Sequence, residues 1–465
     1  MSKKKIFMLT FLIFYTLSIS LFIINTYDEK LLLSSFIVAL PAIIIYMMVY
    51  VKIFSTTFFF IIFYLMLFFI QPIYNLLIEY HYFQYSLESL KILTLLSILG
   101  ILLFCIGNCL FASKQVEFSK LYLDKKAVRK VTLIMAIVTF ISVLICFIEA
   151  GSLNILNLSR IDLKNSTGPL RLFATYGLYT TSIMFFLVFF TVKSRKKTNI
   201  FKWICIFIVL EIVIFLLFRT RSLIVAHSAS ALVGYYYSGL YGYNKYKYQL
   251  SPKIVTILLG SLLLGLTITS RFFRGFLQPG QNIGNFEFNF KDFLERSIQS
   301  GDLGYSTTVL DVINYVPLYH DFLYGQSYYR LLFTIIPRSI WPEKPENTQR
   351  IVAEWLAPNI DGMTIPPGII GDAYINFGLF GILLLMFFGA FFAFLDRKLS
   401  IKHFMLWAVS ATWIFHIVRG GFTNPLMIFA LLFILIAFFN YKYFNKTTFQ
   451  TKDRKLILNL RVRED

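Results

Sequence analysis

The chain has 465 residues, of which 57% are hydrophobic, 18% aromatic and 15% charged, with a formal charge of +20. This balance excludes an ordinary soluble domain, because apolar runs of about 20 residues recur and each is long enough to cross a bilayer. The Lys and Arg fall between those runs, as in a multi-pass membrane protein and unlike a nucleic-acid binder.

In chain order, Lys3–Lys5 precede an apolar run that reaches Ile24. No small-residue cleavage site follows, so the run reads as a retained first helix and not a cleaved signal. Further helices are predicted near 31–51, 56–78, 89–112, 131–150, 172–192, 203–219, 222–241, 254–270, 370–395, 404–418 and 422–440. Lys52, the group Lys114–Lys130, Lys193–Lys202, Lys245–Lys253, Arg397–Lys402 and the tail from Lys442 then share one side with the N-terminus. By the positive-inside rule that side is the cytoplasm, and both termini lie there. The expected fold is an all-α polytopic membrane protein of about twelve helices. Residues 1–270 carry helices one to nine, 271–368 form one large extracytoplasmic loop, 369–441 carry the last three helices, and 442–465 are a basic tail.

Within the large loop, apolar spacing predicts short amphipathic helices at Phe293–Ile298, Val309–Val316 and Ile351–Leu356. Pro317, Pro337 and Pro358 end or interrupt them. The loop therefore reads as a folded cap and not a linker. Cys105, Cys109, Cys146 and Cys205 all sit in apolar runs with no His or carboxylate completing a metal set, and read as packing residues.

The expected outer face carries Arg where the inner face carries Lys. Arg219 and Arg221 end the seventh helix (FRTRSLIVAH), Arg271 and Arg274 the ninth (TSRFFRG), and Arg419 the eleventh (HIVRGG), with Arg338 in the loop. Each alone reads as a side chain snorkelling to the headgroups. The set reads better as a convergent phosphate site, because guanidinium is always charged and grips phosphate through two parallel hydrogen bonds. Charges near the bilayer are costly and mark function. After the loop, Asp372 and Asn376 lie four apart on one helix face. Asp372 reads either as a helix-start partner or as a carboxylate beside the arginines, acting as base or as their orienter. Trp341 and Tyr374 read as interface-belt aromatics or as stacking surfaces for sugars. His227, two turns below Arg221, is a packed histidine or a supporting contact. Glu343, Lys344 and Glu346 read as solvating a turn.

PRSIWPEKP at 337–345 and GDAYINFGLFG at 371–381, with TRSL near Arg221 and RGG at Arg419, resemble the bacterial Wzy-type O-antigen, or oligosaccharide repeat-unit, polymerases. The resemblance implies a plasma-membrane enzyme that works at the outer face on undecaprenyl-diphosphate-linked oligosaccharides. It transfers the growing glycan from its lipid diphosphate to a hydroxyl of the incoming lipid-linked repeat, building O-antigen, capsule or exopolysaccharide. It implies a metal-independent glycosyltransferase without cofactor, served by a flippase and partnered by a chain-length regulator of the polysaccharide co-polymerase type. Arg221, Arg338 and Arg419 carry over as diphosphate ligands, with Asp372 the first candidate base and Glu343 the second. Two other readings stay open: a ligase-like glycan transferase, and, in another class, a flippase or exporter of lipid-linked glycans.

Overall fold

The computed structural model describes residues 3–53, 55–82, 84–111, 303–333, 340–360, 363–402 and 414–421, and the isolated positions 133, 137, 140, 141, 144, 145, 148, 295, 298 and 299. The chain divides into two units, and the described residues belong almost wholly to the first, built from 1–115, 282–398 and 413–429. Its elements are α1 (Lys3–Ile24), α2 (Glu29–Tyr50), α3 (Thr56–Phe68), α4 (Ile70–Leu77), α5 (Leu87–Phe111), α6 (Tyr305–Tyr315), α7 (Gln326–Leu332), α8 (Thr348–Leu356), α9 (Gly368–Phe377), a 3-10 turn (Gly378–Ile382) and α10 (Leu383–Lys402). Residues 414–420 are also helical, and no strand occurs among the described residues. Among the described residues, five stretches are long and apolar enough to cross a membrane: Lys3–Ile24, Glu29–Tyr50, Thr56–Leu77, Leu87–Phe111 and Gly368–Arg397.

The first four expected helices are present, with one interruption. The run expected at 56–78 breaks between α3 and α4. Pro72 is the cause: it has no N–H to offer the carbonyl four residues back, and its ring crowds that carbonyl. The carbonyl in question is that of Phe68, and Ser306 Oγ donates to it at 3.3 Å instead. The break thus becomes the seat of α6. Thr307 N–H donates to Gln71 Oε1 at 3.2 Å, Tyr85 OH to Asp311 Oδ1 at 2.7 Å, and Ser89 Oγ to Asn314 Oδ1 at 2.6 Å. One helix of the expected cap is therefore pinned along its length by side chains of α4, α5 and the turn between them.

The run expected at 370–395 is interrupted more sharply. Gly378 has φ 59°, open to glycine, and a Cβ on Gly381 would overlap the Ala373 carbonyl. Eight residues along a straight helix would separate those two positions by about 12 Å. The chain has instead folded back on α9, and α10 starts in a new direction. Beyond the turn, α10 meets α5 backbone to backbone through Gly107 and Gly389, where a Cβ at either would strike the partner's main chain. Such glycine contacts are how apolar helices approach closely without a solvent-driven force between them. Asn108 completes the seam, donating to Thr57 Oγ1 and the Gly389 carbonyl at 2.9 Å each and accepting from Tyr46 OH at 2.7 Å. Phe60, Phe104 and Phe392 fill the space beside it, the first two stacked at 4.0 Å. Cys105 and Cys109 are buried thiols in this packing.

In the 303–360 region, α6 and α8 realise the helices expected at Val309–Val316 and Ile351–Leu356, each starting earlier. The short α7 had no counterpart in the expectation; it follows Gly325 in the left-handed region at φ 85°. The positions described within the helix expected at 131–150 are helical, while the rest of it, the helices expected at 172–192, 203–219, 222–241, 254–270 and 422–440, most of 404–418 and of Phe293–Ile298, and the tail lie outside the described residues.

Candidate functional site

Every residue from Gly368 to Asn376 is buried, so α9 is wrapped by protein on all sides. Its start depends on glycine: Gly368 has φ 71°, and a Cβ there would lie 2.6 Å from the Phe68 ring. Gly371 packs against Pro367, where a Cβ would lie 2.8 Å from the Pro367 Cβ. One residue on, Asp372 is fully buried. Thr348 Oγ1 donates to its Oδ1 at 2.6 Å and Tyr328 OH to its Oδ2 at 2.9 Å. A buried carboxylate needs such donors, since desolvation otherwise disfavours its charge. Burial, and then the neighbouring charge of Asp372, hold the Tyr328 phenol well above its ordinary pKa, which keeps it a hydrogen-bond donor.

The donors come from separate elements. Asn347 caps α8, accepting from Arg350 N–H, and this turns the first helical residue, Thr348, onto Asp372. Next to Thr348, Gln349 Nε2 donates to the Gly420 carbonyl at 2.9 Å and its own carbonyl accepts from Ile365 N–H at 2.9 Å. Gly421 ends the helix of residues 414–420 in the left-handed region, φ 75°, with its N–H on the Ile417 carbonyl. It lies against Asp372: a Cβ at 421 would be 2.5 Å from Asp372 Cβ and 2.9 Å from its Oδ2. Arg419, two residues back and partly buried, donates through Nε to Tyr305 OH at 2.6 Å, at the first residue of α6. The RGG turn and the carboxylate thus share one neighbourhood, lined by Tyr305, Tyr328, Thr348 and Gln349.

Of the residues singled out from sequence, Asp372 and Arg419 come together here. Asn376 is buried and serves the backbone, donating to the Asp372 carbonyl at 2.8 Å and accepting from Ser327 Oγ at 2.8 Å. Tyr374 turns to the end of α6, its hydroxyl donating to the Val316 carbonyl at 3.2 Å. Trp341 packs edge-on to Phe333 at 5.6 Å. Glu343 is exposed, but Lys344 is 6% exposed, so the turn there is not solvated throughout. Arg219, Arg221, Arg271, Arg274, Arg338 and His227 lie outside the described residues. Among the described residues no group of three His, Cys, Asp or Glu stands together to hold a metal. Sequence reasoning missed Tyr305, Tyr328, Thr348 and Gln349. Thr348 alone carried a local signal, following an Asn at a helix start.

A comparison with curated proteins and another with solved structures gave no match. A family model did match, that of the O-antigen polysaccharide polymerase Wzy, over residues 5–448. With nearly the whole chain matched, and apolar helices of membrane-crossing length in place, the chain belongs to the O-antigen polysaccharide polymerase Wzy family, which polymerises O-antigen repeat units from lipid-linked precursors in the membrane.

Proposed function

We propose that this chain extends a polysaccharide at the outer face of the plasma membrane, drawing on undecaprenyl-diphosphate-linked repeats delivered by a flippase. The acceptor hydroxyl of the incoming lipid-linked repeat attacks the anomeric carbon of the growing glycan. The bond from that carbon to the diphosphate oxygen breaks, the lipid diphosphate leaves with the electron pair, and the hydroxyl proton passes to a base. Negative charge builds on the departing diphosphate, so fixed guanidinium groups stabilise the transition state more than the ground state. Arg419, Arg338 and Arg221 are the proposed ligands, with Arg219, Arg271 and Arg274 as further cations at the same face.

The observation that carries the reading is the meeting of the RGG turn with the buried Asp372 carboxylate. It supports Asp372 in its orienting role: both carboxylate oxygens accept hydroxyl donors, and Gly421 of the turn that carries Arg419 packs directly against the carboxylate. Glu343, exposed on the turn after Trp341, is then the better placed of the two candidate bases. A base must reach the acceptor oxygen, and the exposed Glu343 meets that need more readily than the buried Asp372.

The experiment is substitution in cells with glycan length read on a gel. Arg338→Ala, Arg338→Lys and Arg419→Ala should leave single repeats on the lipid in place of a ladder. Ladders of full length from all three variants at normal protein level would remove the arginines from the reaction. Repeats stranded on the cytoplasmic side would point to transport instead.

A further inference from the structure

We propose that Tyr315, Tyr319, His320 and Trp355 form a saccharide-binding platform that takes the glycan part of the lipid-linked substrate. The Tyr315 and Trp355 rings lie 6.1 Å apart and within 2° of parallel. His320 lies 4.6 Å from Trp355 at 10°, and 6.3 Å from Tyr315 at 8°. Tyr319 joins at 5.6 Å from Tyr315 and is 75% exposed. The backbone sets the rings in advance. Tyr319 and His320 N–H groups both donate to the Tyr315 carbonyl, at 2.8 and 3.2 Å, and Tyr315 OH donates to the Trp355 carbonyl at 3.3 Å. A platform already ordered loses little entropy on binding.

The chemistry suits a sugar. A pyranose offers a face of C–H groups and a rim of hydroxyls, and an aromatic platform offers flat apolar faces with polar tips on Tyr, His and Trp. Its place in the fold supports the same ligand. Thr348 opens α8 on Asp372, and Trp355 follows seven residues later, about 10 Å along the helix. Tyr305 opens α6 on Arg419, and Tyr315 follows ten residues later, about 15 Å along. Both helices run from a charged end to an aromatic end. A lipid-linked oligosaccharide has the same order, an anionic diphosphate and then neutral sugars. The assignment rests on the proposed transfer reaction for its substrate, but its test does not require the reaction to proceed.

The test uses the full chain in lipid nanodiscs and polysaccharide freed of lipid by mild acid from cells that make this protein. Binding is followed by saturation-transfer NMR. Tyr319→Ala, His320→Ala and Trp355→Ala should each weaken binding about three- to tenfold, while Trp355→Phe keeps most of it. Arg419→Ala should bind this free glycan as the parent does, yet make no ladder in cells. Should Trp355→Ala fold poorly, Tyr319→Ala, on an exposed side chain, carries the measurement. Unchanged binding in the Tyr319 and His320 variants would overturn the platform. So would fluorescence quenching by lipids brominated near the headgroup that disappears in Trp355→Phe, because it would put the rings in the bilayer. A normal ladder from Arg419→Ala together with weakened binding in the Tyr319 variant would sink the arginine's role in transfer and leave the platform standing.

Discussion

Asp396, near the end of α10, and Asp372, in the middle of α9, are both carboxylates on a largely apolar stretch, and each accepts hydroxyl hydrogen bonds. Their donors differ in kind. Asp396 is bound by two consecutive residues: Thr56 gives it N–H at 2.9 Å and Oγ1 at 2.7 Å, and Thr57 gives N–H at 3.2 Å and Oγ1 at 2.7 Å. This is an anion at the start of α3, favoured by the free N–H groups and the helix dipole. Asp372 instead accepts from Tyr328 and Thr348 on separate helices, with Gly421 of a third segment packed against it. One arrangement joins two helices. The other draws together the elements of the proposed site, and on that proposal removing it should cost activity out of proportion to stability.

The largest effect is expected at the arginine the second arrangement presents. Arg419→Ala should lower polymer formation by about a hundredfold or more, the scale of losing one fixed stabiliser of developing charge. Arg419→Lys should recover little, since a point charge does not reproduce the fork. Glycan gels normalised to membrane protein level measure both. Full recovery by Lys would mean that charge alone matters at 419.

Gly421→Ala and Asp372→Asn come next. The alanine must adopt a φ of 75° and its Cβ would meet Asp372 at 2.5 Å, so the turn and the carboxylate shift apart at a cost in folding. Both variants should make markedly shorter glycan per folded molecule, measured against membrane protein level. Asp396→Asn is the counterpart: losing hydrogen bonds to a charged acceptor should lower stability by about 2 kcal/mol, seen as an earlier thermal transition in detergent. The glycan made per folded molecule should stay unchanged. If Asp396→Asn shortened the ladder as Asp372→Asn does, the contrast between brace and site would fail.

The same contrast explains what was legible in the sequence. The apolar runs of α1 to α5 are local patterns, and they were readable because their partners lie within a few residues. The breaks at Pro72 and at Gly378–Gly381 were less so. Proline and glycine were visible, but only the arrival of Ser306 and of the Ala373 carbonyl makes each break a fold feature. At the site, Asp372 and RGG stood out by composition. Tyr305, Tyr328 and Gln349 did not, since a tyrosine in an apolar segment looks the same whether it faces a carboxylate, a guanidinium or lipid.

The smallest expected effect concerns Asp311, the residue through which α6 meets Tyr85. Burial raises its carboxyl above the ordinary carboxylate range, and the Tyr85 hydrogen bond, which favours the ionised form, offsets only part of this. A raised pKa in the folded state means the folded protein holds the proton more tightly than the unfolded chain. The associated stability is then present at low pH and lost as pH rises through the raised value. Between the ordinary range and neutrality, Asp311 should make the parent slightly less stable as pH rises. Asp311→Asn keeps an acceptor for Tyr85 and removes the charge, so the variant should match or exceed the parent at pH 7, by less than about 1 kcal/mol given partial solvent access. Its advantage should vanish in mild acid. Thermal transitions of the two proteins, compared from neutral pH down to mild acid, measure the difference. Parallel pH profiles would show that Asp311 ionises as freely in the folded protein as in water, and that α6 rests on its hydroxyl and amide contacts alone.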